Sequence, residues 1–82
     1  MKPKIVLTKV TEVEPDEEGA VTFDVIGTLG KTPFAFTIGI SPEEGGVWDL
    51  LSGDLDEKEG PEIVGKVFSH PVVKKAIERS LA

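Results

Sequence analysis

The 82-residue chain has no cysteine, one histidine and one tryptophan. Without cysteine, neither disulfides nor thiolate metal sites can support the core, which suits a reducing compartment. A single histidine leaves no donor set for a transition-metal centre. Positive charge is scarce: nine Lys and Arg stand against fifteen Asp and Glu, for a formal net charge of −6. That balance disfavours any general electrostatic hold on nucleic acid or an anionic membrane. Long apolar runs are missing as well. The run Ile5-Val6-Leu7 is too short for a signal peptide, and no stretch approaches membrane-spanning length. The expected location is cytoplasmic.

What is present is a single small domain over residues 1–82, with an ordinary globular balance of 39% hydrophobic and 29% charged residues. The most informative stretch is Val21 to Ile40. Val21, Phe23, Val25 and Leu29 share one parity, and Phe34, Phe36, Ile38 and Ile40 share the other. Side chains alternate along strands, so each set lines one face. A two-residue turn at Gly30-Lys31 pairs Leu29 with Thr32. Stepping outward then pairs Gly27 with Phe34, Val25 with Phe36, Phe23 with Ile38 and Val21 with Ile40. Both apolar sets land on one side of the hairpin. Glycine at the first turn position suits type II′. The opposite face, with Thr22, Asp24, Ile26, Thr28, Ala35, Thr37 and Gly39, is expected to meet water.

Lys4 to Val13 reads as a further strand. Its apolar parity changes between Leu7 and Val10, which either a β-bulge near Thr8-Lys9 or a strand covered on both faces would explain, the bulge being favoured. Glu14 to Gly19 is an acidic turn by composition, expected to be solvated and mobile.

The C-terminal half is expected to roof the sheet with helices. Ser41-Pro42-Glu43-Glu44 carries capping signals, and Val47, Leu50 and Leu51 then fall at helical spacing, with Trp48 beside them and Gly53 as a stop. Gly45-Gly46 weakens that helix. After the polar linker 53–60, Pro61 can open a helix bearing Ile63, Val64, Val67 and Phe68. His70-Pro71 breaks it, and a last helix carries Val72, Val73, Ala76, Ile77 and Leu81. The predicted fold is therefore α+β (β-β-β-α-α), a three-stranded antiparallel meander covered on one face by two or three short helices. Its expected core is Val21, Phe23, Val25, Phe34, Phe36, Ile38, Leu50, Leu51, Val67, Phe68, Val73 and Ile77.

No motif carries chemistry. An EF-hand loop beginning at Asp54, with Asp56 and Glu59 as further carboxylates, fails at Lys58, Glu59 and Gly65, where Asp or Asn, Gly and Glu are required. A Ser-His-Asp relay would have to use His70, and Ser69 beside it has no nucleophile-elbow pattern. Gly27-Thr28-Leu29-Gly30 lies in a hairpin, not ahead of a helix, so phosphate cradling is unsupported. Trp48 reads as a core-edge aromatic before a partner anchor. Basic residues gather at Lys2, Lys4 and Lys9 and at Lys74, Lys75 and Arg79. They form one patch only if the first strand and last helix are neighbours.

No catalytic, cofactor-binding or metal-ligating residue is assigned, and no cofactor is expected. The expected function is a non-enzymatic protein-interaction module, with a homodimer through an edge strand, strand one or strand three, as one version. An alternative is an acidic regulator or decoy that occupies a basic surface on a nucleic-acid-binding protein. A small hydrolase using His70 ranks below both. Neither direct nucleic-acid nor membrane binding is expected.

Overall fold

The computed structural model describes residues 3–15 and 19–81. Asp16, Glu17 and Glu18 of the acidic turn, and Lys2 of the first basic group, lie outside these residues. The chain runs β1 (Ile5–Val13), β2 (Val21–Leu29), β3 (Thr32–Ser41), a single 3-10 turn over Pro42–Glu44, β4 (Val47–Gly53), α1 (Gly60–Ser69) and α2 (Pro71–Leu81). The four strands form one antiparallel sheet in the order β1-β2-β3-β4.

The β2–β3 hairpin has the register its alternation requires. Val21 opposes Ile40, Phe23 opposes Ile38, Val25 opposes Phe36, Gly27 opposes Phe34 and Leu29 opposes Thr32. Gly30 has φ +63° and Lys31 does not have positive φ. A positive φ at the first turn position alone is the mark of type II′. In β1 the register shifts between Leu7 and Lys9, so Thr8 is the extra residue. That bulge returns Val10 to the face of Ile5, and both are buried.

The sheet has a fourth strand where a helix was expected. Residues 42–44 begin a helical turn with Pro42 at its start, as predicted, but the Ser41 side chain makes no capping hydrogen bond. Gly45 and Gly46 then adopt φ +80° and +84°. Two successive left-handed residues end the turn after three residues and reverse the chain. Gly45 N–H donates to Pro42 O and Gly46 N–H to Ser41 O. Val47, Trp48, Leu50 and Leu51 therefore continue as a strand beside β3. Their spacing spans only five residues, too short to distinguish a helical stripe from a strand with a bulge.

The core lies between one face of the sheet and the two helices. Phe23, Val25, Ile38 and Ile40 meet Ile63, Val67 and Val73 there, all wholly or almost wholly buried. Ile5, Val10, Val64 and Ala76 complete the cluster, while Phe34, Phe68 and Ile77 are only partly buried against it. Leu50 and Leu51, expected inside, are exposed because they belong to β4.

The helices lie chiefly over β1 and β2. Arg79 of α2 donates to both carboxylate oxygens of Glu12 on β1, at 2.5 and 2.7 Å. The first strand and last helix are thus neighbours, as a shared basic patch requires. Arg79, however, spends its charge on Glu12, and its exposed position makes the pair worth little stability.

Candidate functional site

The sheet extends one strand beyond the helical cover. Ile38 opposes Leu50 and Ile40 opposes Trp48. Directly opposed residues share a face, so Trp48 and Leu50 prolong the buried rows of β3. The helices do not reach that far, and these side chains remain 36% and 41% exposed. Phe68 stands beside this ledge: a Cβ built on Gly46 would lie 3.7 Å from its ring.

The reverse face of β4 is mixed: Asp49 opposes Gly39 and Ser52 opposes Thr37 there, and Leu51 adds apolar surface. The register shifts between Thr37 and Ile38, because Ser52 opposes Thr37 while Leu50 opposes Ile38. Leu51 is the extra residue, and it leans over Gly39. A Cβ on Gly39 would lie 3.2 Å from Leu51 Cδ1 and 3.7 Å from Ala20 Cβ. Gly39 is buried by this cover, and so is Thr22 beside it, unlike the exposed Asp24, Ile26 and Ala35 of the same face. Every residue of β4 is exposed. A sheet-end strand presents backbone N–H and C=O groups that no neighbour pairs. β4 therefore combines an open hydrogen-bonding edge with apolar side chains on both sides. β3, one of the two strands expected to serve as an edge, is internal. The edges are β1 and β4.

Among the described residues, concavities border the sheet, two of them on or beside the β2–β3 hairpin. The larger, about 370 Å³, is an open depression on the helix-free face between Asp24, Ile26, Ala35, Thr37 and Ser52. Its carboxylate is engaged, since Thr37 Oγ1 donates to Asp24 Oδ1 at 2.8 Å. The smaller, about 220 Å³, lies where the linker crosses the hairpin end. Leu29, Phe34, Leu55 and Ile63 give it apolar walls, and Asp54 and Asp56 are its acidic residues.

Asp54, Asp56 and Glu59 build no calcium loop. Asp56 Oδ2 instead accepts the backbone N–H groups of Lys58 and Glu59, at 3.0 and 2.7 Å. It thereby satisfies free donors ahead of α1. No group of three or more potential metal ligands occurs among the described residues.

His70 is placed as a helix cap. Its Nδ1 accepts the Val72 N–H at 3.2 Å, and its carbonyl accepts the Lys74 N–H at 3.0 Å. Ser69 Oγ turns away and donates to Gly65 O. The two side chains do not form the beginning of a relay. His70→Ala is expected to lower stability by about 1 kcal/mol, and His70→Asn to retain it, because asparagine offers the same capping acceptor. Urea unfolding midpoints of the two variants check this.

Sequence reasoning missed β4 as a surface. The available signals were Gly39 within an apolar strand, which marks a close approach, and Gly45-Gly46, which interrupts the helical pattern. No helix among the described residues is long and apolar enough to cross a membrane. No protein-family model, curated protein or solved structure matches the chain.

Proposed function

We propose that the chain is a non-enzymatic protein-interaction module that binds by strand addition at β4. The observation that carries this reading is the uncovered ledge of Trp48 and Leu50 beside an open strand edge. A partner strand would take main-chain hydrogen bonds from the edge and lay alternate side chains on the ledge. Trp48 then serves as the anchor, a role in which tryptophan is enriched. A second copy of the chain is the simplest such partner, giving a twofold pair with a continuous sheet. The module is expected to work in the cytoplasm, where a core without disulfides is ordinary.

Light scattering over a concentration series tests the self-pairing version. The wild-type mass is expected to rise toward that of a dimer, and Leu50→Lys to remain monomeric, since an edge lysine opposes strand pairing. A wild-type chain that stays monomeric throughout removes that version. For a different partner, captures with wild type and Leu50→Lys are compared. A partner retained equally by both removes strand addition at β4.

The acidic-regulator reading keeps one supporting observation: Asp54, Glu57 and the other charged residues of 54–58 remain exposed. It predicts a partner whose binding weakens steeply with salt.

A further inference from the structure

We infer that the cavity between the linker and the hairpin end receives a cationic side chain of a partner protein, arginine in particular. The volume, about 220 Å³, is below the roughly 300–1,000 Å³ typical of small-molecule pockets. It is of the scale of one long side chain. Leu29, Leu55 and Ile63 provide apolar wall for a methylene stem. Phe34 adds an aromatic ring, against which a guanidinium is favoured over an ammonium.

The two carboxylates select the charge. Asp56 directs Oδ2 to the backbone of Lys58 and Glu59, and Oδ1 accepts neither of those bonds. Asp54 has no hydrogen bond or ion pair to another described residue. An apolar occupant would return no hydrogen bond to whichever of these carboxylates it covered, which is unfavourable. A guanidinium carries five donors in a planar fork and can serve both carboxylates. The net charge of −6 assists the approach of such a group. This inference is independent of strand addition at β4 and gives the acidic-regulator reading a specific contact.

The test is an NMR titration of the full chain with N-acetyl-arginine N-methylamide, beside the citrulline analogue, which has nearly the same shape without the charge. The arginine compound is expected to produce saturable shifts, in the millimolar range suited to so small a ligand, at Leu29, Leu55 and Ile63. The citrulline compound is expected to bind about tenfold more weakly, as is arginine to Asp54→Asn, on the scale of one charge-assisted hydrogen bond. Equal binding of the two compounds overturns the inference. So do unsaturable shifts, or shifts spread over carboxylates throughout the chain. None of these results bears on Leu50→Lys, so failure here is distinguishable from failure of edge pairing.

Discussion

Phe23→Ala is expected to remove about 3–5 kcal/mol of stability, enough to leave much of the chain unfolded at room temperature. Phe23 is fully buried at the middle of the sheet, opposite Ile38 of β3 and Glu12 of β1. Its ring sits in the cluster that Ile63, Val67 and Val73 press onto the sheet. Truncation leaves a cavity that strands paired on both sides cannot collapse into. A domain of this size has little stability to spare. Far-ultraviolet circular dichroism and urea titration give the readout. A variant with wild-type midpoint would mean that the helices do not cover this face.

Gly27→Ala is the second large effect, and it acts through space rather than lost burial. A Cβ at Gly27 would run into the carbonyl oxygen of Val6 and lie 2.7 Å from Phe34 Cζ. The first is backbone of a paired neighbour strand and cannot swing aside. The second belongs to a ring stacked on Phe36 at a centroid distance of 5.9 Å. The expected loss is about 3 kcal/mol, at the upper end of ordinary overpacking. The same substitution at Gly65 has the opposite sign. Nothing lies within 4 Å of a Cβ there, and the site is an exposed position of α1. Gly65→Ala is expected to add up to about 1 kcal/mol through helix propensity. Thermal melts of the two variants, compared side by side, check both signs. Similar shifts for the two would remove the steric account.

The hairpin was legible because two neighbouring strands carry unbroken alternation, and only one register puts Phe23, Val25, Phe36 and Ile38 on one side. In β1 the parity change between Leu7 and Val10 was legible, but a strand covered on both faces would have produced it too; the pairing of Leu7 and Lys9 with adjacent β2 residues decides for the bulge. The helices α1 and α2 showed in the stripes Ile63-Val64-Val67-Phe68 and Val72-Val73-Ala76-Ile77-Leu81, separated by Pro71, although Val72 and Leu81 of the second stripe are exposed. Residues 41–53 misled because the helix-start pattern at Ser41 to Glu44 yields only a single turn, opened by Pro42 and without a side-chain cap from Ser41. Two glycines with positive φ then redirect the chain, and a glycine in sequence does not declare its φ. Tertiary pairing with β3, not local preference, makes 47–53 a strand. The same residues form the candidate surface, so the misreading of structure also hid the site. The cavity at Asp54 was invisible for a different reason: its walls come from three separate segments.

The most direct test is whether residues 47–53 form an uncovered strand beside β3. Nuclear Overhauser contacts across the sheet, with quenching of Trp48 fluorescence by acrylamide, address both halves of that statement. The expected result is Ile40–Trp48 and Ile38–Leu50 contacts together with a readily quenched tryptophan. Sequential helical amide contacts through 47–51, with Trp48 shielded from the quencher, would contradict it.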